Sequence, residues 1–250
     1  MPGRNWYKRF AGMGLAIVLL AGVGFAMLVL AGRSQPPSSS PRPVPAGDER
    51  WAKPRAADLF TPIRNGDVQV VGKLLDDGAD VNARNVEGDT ALILASFYAT
   101  PECVELLIAK GADVNAANKA GATPLIRAAT DYEKTRLLTA AGANVRVRSA
   151  LGNTPLILAA RRAGNCRTVQ WLLERGADAT ERNDAGVSPI LAGAASGDVE
   201  TVRLLLDAGA KADDFPTSTT PRAADIAAGF RTPLMWAAYH NDERMVRLLL

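Results

Sequence analysis

Apolar residues recur along most of this chain as pairs of short runs separated by polar turns. The first run of each pair is short and rich in alanine and leucine, as in residues 156–160. The second is a more strongly apolar run, as in residues 169–173 and 202–206. Runs of this length and spacing are typical of amphipathic α-helices. The pattern therefore predicts an all-α fold built from helix–turn–helix units.

These units repeat with a nearly constant period. A phrase of Thr or Ser, then Pro or Ala, then Leu or Ile begins at Thr90, Thr123, Thr154, Ser188 and Thr232. A Gly-Ala phrase runs in phase with it, and its glycines are spaced by 33, 31, 34 and 33 residues at Gly78, Gly111, Gly142, Gly176 and Gly209. Self-similarity at a fixed period near 33 residues is the signature of a stacked repeat array.

Each phrase has a physical role at one end of a helix. A Thr or Ser side chain accepts a hydrogen bond from a free backbone N–H at a helix start, and Pro fits the first helical turn because its missing N–H would be unpaired there. Glycine ends the second helix because it adopts a left-handed backbone readily. A polar loop with its own glycine leads to the next unit, at Gly88, Gly121, Gly152 and Gly186.

The combination of helix opener, helix terminator and loop glycine resembles the ankyrin repeat over residues 54–250. The resemblance implies an all-α, ankyrin-type helix-turn-helix solenoid with β-hairpin-like loops. We count about six units, which begin near residues 54, 87, 120, 151, 185 and 229. The first unit is degenerate, because Pro62 falls inside its first helix. The last unit stops at Leu250 within a second helix, so we expect the natural protein to continue.

One position departs from the family pattern. Ankyrin repeats commonly have a histidine after the leucine of the opener, where it bridges backbone groups of the loop. This chain instead has Ile93, Ile126, Ile157, Leu191 and Met235. We therefore expect its loops to be held more by packing and less by hydrogen bonds.

Three irregularities interrupt the period. The third unit is two residues short around residues 130–136, and the fourth has one extra residue near residues 161–164. About eleven residues are inserted within residues 215–229, between the fifth and sixth units. Insertions in such arrays lie in loops on one face, which is often the binding face. A tolerated surface loop is the alternative, because long loops cost little additional entropy.

The amino terminus has a different character from the array. Residues 10–32 form an uncharged stretch of 23 residues between a short basic segment (1–9) and a Pro/Ser-rich linker (33–53). As a helix this stretch would be about 34 Å long, enough to cross a bilayer. The basic residues before it favour a transmembrane signal-anchor helix with a cytoplasmic amino terminus and repeats on the periplasmic or extracellular side. Cleavage after Ala31 as a secretory signal peptide is the alternative.

The net charge and the chemically reactive residues exclude several classes of function. The net charge of +3 is concentrated in the first 50 residues, which carry +4, so the remainder carries −1 and does not favour nucleic-acid binding. Cys103 and Cys166 lie in different units, too far apart for a disulfide. His240 is the single histidine, and no metal cluster, nucleophilic pair or phosphate loop is recognisable. We expect no enzyme activity, no cofactor, no metal and no small-molecule substrate.

The resemblance implies a protein partner, because ankyrin-like arrays bind proteins on a concave face made by loop tips and the exposed side of each first helix. In this chain those positions hold aromatic side chains in units two and six and arginines between them. We predict that the partner-binding residues are Phe97, Tyr98, Arg127, Asp131, Arg161, Arg162, Trp236 and Tyr239. Arginine and aromatic residues dominate interface energies, and this set suits a protein segment with acidic residues.

The sequence therefore indicates a membrane-tethered scaffold or adaptor for a protein partner whose identity it does not reveal. Two alternatives stay open. The first is a secreted ankyrin-like protein that acts on a distant target. The second is an array that recruits substrate for an enzymatic domain located beyond Leu250.

Overall fold

The computed structural model describes residues 59–216 and 231–250, which lie within one compact unit, Glu49–Leu250. The predicted signal-anchor helix (10–32), the linker (33–53) and most of the insertion (215–229) lie outside the described residues. Within the described ranges, no helix has the length and apolar character needed to cross a membrane.

Helices alternate along the array as a first and a second helix in each of six units. The first helices are α1 (Phe60–Asn65), α3 (Ala91–Tyr98), α5 (Pro124–Ala128), α7 (Pro155–Ala160), α9 (Pro189–Ser196) and α11 (Pro233–Tyr239). The second helices are α2 (Val68–Asp76), α4 (Pro101–Ala109), α6 (Tyr132–Ala140), α8 (Cys166–Glu174), α10 (Val199–Asp207) and α12 (Glu243–Leu249). Each first helix packs against its own second helix and against the first helix of the next unit, and the second helices stack in the same way. The described residues thus form a two-layered helical solenoid.

The helix-opening and helix-ending phrases act as predicted. The capping Thr or Ser side chain accepts a hydrogen bond from the backbone N–H three residues later at 3.2–3.4 Å in units two to six. The five terminating glycines have φ between 84° and 92°, which is the left-handed conformation. Both predictions are therefore confirmed, and they explain why the first helices of units two to six begin, and the second helices of units one to five end, at matching positions.

The opener also supplies the core between the two layers. Its apolar residue is at most 1% exposed in units two to five, at Leu92, Leu125, Leu156 and Ile190. Buried residues form one cluster from Leu59 to Ala143 and a second from Leu156 to Met245, and Val145 packs against both. In unit six the equivalent Leu234 is 38% exposed, because no described unit packs beyond it.

Hydrogen bonds hold the loops, contrary to the expectation from the missing histidines. Oδ1 of Asn85, Asn118 and Asn183 accepts two backbone N–H groups of its own loop, and Oγ of Ser149 does the same, at 2.8–3.4 Å. These four side chains supply hydrogen bonds to the loop backbone although the histidines are absent, and this is what the expectation left out. The loops are hairpin-like, but the described chain contains only an isolated β-bridge, Arg84–Thr90, and no strand.

A second repeated loop position links each unit to the next. Nδ2 of Asn82 and of Asn115 donates to the carbonyl oxygen of the terminating glycine in the following unit, at 3.3 and 3.2 Å. Nε of Arg146 makes the equivalent bond at 2.8 Å. Because these bonds join residues about one period apart, they set the distance between neighbouring units.

The two irregular units meet at one buried side chain. Helix α5 of the shortened third unit has only five residues, and the turn that follows begins at Ala129. Asn165, which is buried in the lengthened turn of unit four, donates through Nδ2 to the carbonyl oxygens of Ala129 and Ala159, each at 3.1 Å. Its Oδ1 accepts from the hydroxyl of Thr168 at 2.6 Å. Asn165 therefore fixes the long turn of unit four against the short turn of unit three.

The two cysteines are both free, as predicted. Cys103 is fully buried in α4, and Cys166 is partly exposed at the start of α8. Burial raises the pKa of the Cys103 thiol, and the positive charge of Lys134 offsets this only in part. Cys103 thus behaves as a small apolar filler of the core.

Candidate protein-binding groove

The predicted partner-binding residues occupy equivalent places in their units. They lie four, seven or eight residues after the capping Thr or Ser, within a first helix or just beyond its carboxyl-terminal end. The fourth position holds Arg127 and Trp236, the seventh holds Phe97, Arg161 and Tyr239, and the eighth holds Tyr98, Asp131 and Arg162. We call the surface made by these eight positions the first-helix face.

Four of the eight predicted residues come together. They line a groove of about 370 Å³ that crosses units two to four. Its lining consists of Phe97, Ile126, Arg127, Thr130, Leu158, Arg161 and Arg162. We call this hollow the arginine groove.

The groove exists because the shortened third unit places a small side chain between two large ones. Thr130 occupies the repeat position that carries Phe97 in unit two and Arg161 in unit four. Helix α3 continues to Tyr98, whereas α5 ends at Ala128 and leaves the space beyond it open. The early end of α5 and the small Thr130 side chain thus leave open the space that the hollow occupies.

An aromatic ring forms one wall of the arginine groove. Phe97 is 56% exposed, and Tyr98 packs against it edge-on with ring centroids 4.7 Å apart. The guanidinium carbon of Arg127 lies 5.7 Å from the centroid of the Phe97 ring, within the range of a cation–π contact. Ile126 is buried beneath them and Leu158 is partly buried, so the floor of the groove is apolar.

The positive charge of the groove is not neutralised locally. Arg127, Arg161 and Arg162 are exposed, and none of them pairs with a carboxylate within residues 59–216 and 231–250. No acidic residue lines the groove. Several arginines elsewhere on the array do pair with carboxylates, namely Arg136, Arg148, Arg203 and Arg247.

Asp131 does not line the groove. Its Oδ1 accepts the backbone N–H of Lys134 at 3.2 Å and caps α6, and its Oδ2 lies 3.5 Å from Lys134 Nζ. Nζ of Lys134 also reaches the carbonyl oxygen of Ser96 in unit two at 3.5 Å. The carboxylate of Asp131 therefore supports the junction of units two and three, which is a structural role.

Trp236 and Tyr239 belong to a separate cluster in unit six. The guanidinium of Arg231 lies 4.8 and 4.2 Å from their ring centroids, and His240 stacks on Trp236 at 5.9 Å. Nε2 of His240 lies 3.1 Å from the carbonyl oxygen of Ala195 in unit five. Tyr239 is exposed, whereas Trp236 is partly buried by this packing.

Sequence reasoning overlooked a cluster of aromatic rings and arginines on the second helices. Tyr132 and Trp171 pack edge to face at 5.7 Å, with Arg167 over Tyr132 at 3.7 Å and Arg175 over Trp171 at 3.2 Å. Nε1 of Trp171 donates to Thr139 Oγ1 at 3.0 Å, which joins unit four to unit three. The signal was a tryptophan at a repeat position that holds leucine in units two, three and five, at Leu106, Leu137 and Leu204.

The described side chains offer little for catalysis or metal binding. In the part of the chain that the structure describes, no group of three His, Cys, Asp or Glu residues is placed to hold a metal ion. A hollow of about 590 Å³ lies at the inter-helix turns of units four to six, and its lining mixes Asp198 and Glu200 with Arg203 and Arg244. The mixed charges leave no concentrated field there, unlike in the arginine groove.

The family comparison agrees with this architecture. A family model described as ankyrin repeats in three copies matches residues 59–149, 131–215 and 156–250. Because these matches together span well over half of the chain, the chain belongs to the ankyrin repeat family. The family that the sequence pattern indicated is thereby confirmed.

A curated relative supports the same class. The chain is similar to the ankyrin repeat domain-containing protein SAT10 of Stachybotrys chartarum, with 42% identity over 50 residues. The aligned segment covers 20% of this chain and 3% of that protein. The likeness therefore concerns the repeat itself.

Proposed function

We propose that this chain is a membrane-tethered scaffold that binds a protein partner on its first-helix face. Ankyrin repeats are in general non-enzymatic modules for protein–protein interaction, and family membership supports that part of the proposal. The observation that supports this choice of face is the arginine groove, where an exposed aromatic ring adjoins three arginines. Exposed arginine and aromatic side chains around a hollow are typical of residues that contribute most to interface energy.

The membrane part of the proposal rests on the amino-terminal sequence. Residues 10–32 carry no charge and are long enough to span a bilayer as a helix, and Arg4, Lys8 and Arg9 precede them. Positive charge on that side favours a cytoplasmic amino terminus. The array would then lie on the periplasmic or extracellular side, with residues 33–53 as a spacer.

Fractionation of the full-length chain in a bacterial host tests the tether. We expect the intact chain to stay in the membrane fraction after alkaline extraction. We also expect protease added to spheroplasts to digest a carboxyl-terminal tag, because the tag would lie outside the inner membrane. The variant Leu19→Arg/Leu20→Arg should leave the membrane fraction, because charge at mid-bilayer is costly. A mature protein that begins at Gly32 would instead support the secreted alternative, and a protected tag would refute the proposed orientation.

Site-specific crosslinking tests the binding face. A photoreactive phenylalanine analogue at Phe97 should crosslink to a discrete protein in intact cells. The same analogue at Val70, which is 47% exposed on a second helix, serves as the matched control and should not. Crosslinks of equal yield at both positions, or at neither, would count against binding on the first-helix face.

A further inference from the structure

The arginine groove has a chemical character that narrows the class of partner. Building on the proposed function, we infer that the groove recognises an acidic protein segment in which one bulky apolar side chain is flanked by carboxylates. The inference has two independent supports, which are the unpaired charge of the groove and its apolar floor.

The positive charge of the groove favours an anionic ligand. Three guanidinium groups from two adjacent units surround one hollow, and no carboxylate of the described chain neutralises them. Arginine binds carboxylates through two parallel hydrogen bonds, which adds geometric specificity to the attraction. Arg127 lies on α5, whereas Arg161 and Arg162 follow α7. Carboxylates at separate positions of one bound segment can therefore each pair with an arginine.

The apolar floor of the groove favours an apolar side chain of the bound segment. Ile126 and Leu158 lie beneath the hollow, and the Phe97 ring forms one wall. A volume of about 370 Å³ is large enough to admit a leucine or phenylalanine side chain. Its burial there would remove apolar surface of both partners from water, which favours binding.

A protein segment fits these features better than a nucleic acid. Nucleic-acid binding relies on an extended basic surface that contacts many phosphates. Residues 51–250 carry a net charge of −1, so the positive charge near the groove is local. Binding of a single strand also uses a series of aromatic platforms for successive bases, and Phe97 is the one aromatic ring in the lining of the groove.

Peptide binding to the full-length chain in detergent micelles tests the inference. The probe is a fluorescein-labelled peptide with the sequence Glu-Asp-Glu-Leu-Glu-Asp-Glu, followed by fluorescence anisotropy. Two matched peptides carry Gln and Asn in place of Glu and Asp, or Ser in place of Leu. We expect saturable binding of the probe and binding weaker by about tenfold or more for each matched peptide, because each lacks one of the two recognised features.

Variants of the chain locate the binding. Arg161→Glu/Arg162→Glu should weaken probe binding by about tenfold or more, because it reverses two of the three charges. Arg203→Glu/Arg244→Glu changes net charge equally at exposed positions of second helices and should leave binding within about twofold. Arg161→Lys/Arg162→Lys should retain part of the affinity, because charge persists without the planar fork. Circular dichroism of each variant checks that the array is folded.

Several outcomes would overturn the inference. One is that the probe shows no saturable binding, or that the uncharged peptide binds equally well. Another is an affinity that stays unchanged in the folded Arg161→Glu/Arg162→Glu variant. A third is a uridine oligonucleotide that displaces the probe at a lower concentration than unlabelled probe does. The proposed function fails separately, through the absence of a crosslink at Phe97. A crosslink at Phe97 that survives the double charge reversal would preserve the scaffold function and refute the acidic segment.

Discussion

The guanidinium of Arg127 lies over the ring of Phe97, with its carbon 5.7 Å from the ring centroid. The two residues belong to adjacent units, and both are exposed. Neither is required to fill the core between the helix layers, so their contact shapes the surface of the array. The Phe97 and Arg127 side chains therefore contribute to the groove without contributing to the core.

Substitutions at Phe97 and Ile126 should therefore differ in how much they lower the free energy of unfolding. We expect Phe97→Ala to change the free energy of unfolding by no more than about 0.5 kcal/mol, since the ring is largely exposed. We expect Ile126→Ala to cost about 2–4 kcal/mol, since its side chain is buried. Urea denaturation followed by circular dichroism measures both, and equal losses would contradict this division.

The loop asparagines should contribute directly to stability. Asn118 accepts two backbone N–H groups and donates to Asp89 Oδ1 at 2.6 Å. We expect Asn118→Ala to lower the free energy of unfolding by about 1–3 kcal/mol, because it leaves these groups without their partner. Urea denaturation of the variant measures the loss.

Unit four provides the control for this prediction. Ser149 occupies the equivalent position and accepts the corresponding two N–H groups through its hydroxyl. Asn118→Ser should consequently cost less than Asn118→Ala in the same measurement. If the two variants lose equal stability, the loop is held by packing after all.

Two glycines with similar backbone angles should tolerate alanine differently. Gly111 has φ of 85°, and a Cβ there would meet no atom within 4 Å. Gly121 has φ of 67°, and a Cβ there would lie 2.8 Å from the backbone nitrogen of Ala150 in the next loop. We expect Gly111→Ala to cost about 1 kcal/mol from its left-handed conformation.

Gly121→Ala should cost about 1–3 kcal/mol more than Gly111→Ala, because the two loops must move apart. Their contact includes the hydrogen bond from Ala150 N to Ala120 O at 2.9 Å, which the shift would lengthen. Thermal and urea denaturation of the two variants under identical conditions give the difference. Matching losses would show that the loops adjust without strain.

The buried thiol should make stability depend on pH in the alkaline range. Burial raises the pKa of Cys103 above its ordinary value of 9.0. In the unfolded chain the thiol therefore releases its proton at a lower pH than in the folded chain. The stability contributed by the neutral buried thiol is fully present below about pH 9 and is lost as the pH rises through the folded pKa.

The comparison with Cys103→Ala isolates this effect from other alkaline titrations. We expect the stability of the wild type relative to that of Cys103→Ala to fall as the pH rises above about 9. Urea denaturation at several pH values measures it. A difference that stays constant over that range would refute the assignment of a raised pKa to the buried thiol.

The helix boundaries followed from the sequence because the chemistry that sets them is local. A capping residue such as Thr154 bonds to an N–H three residues away, and a terminating glycine such as Gly176 needs only its own backbone freedom. Repetition of both signals at one period then determined the stack of helix pairs and the family. The exposure of Phe97, Arg161 and Arg162 followed for the same reason, since position within the unit sets the direction of a side chain.

The groove and the loop contacts depend on residues about one period apart, so only the tertiary structure decided them. The sequence showed that unit three was short but not that Thr130 would lie in a hollow between Phe97 and Arg161. The repeat position of Asp131 predicted a binding residue, whereas the structure places its carboxylate 3.5 Å from Nζ of Lys134, outside the groove. Periodicity specifies which face of a unit is exposed. The shape and charge of that face arise where backbones of adjacent units meet, and their separation depends on buried bonds such as that from Asn165 to Ala129.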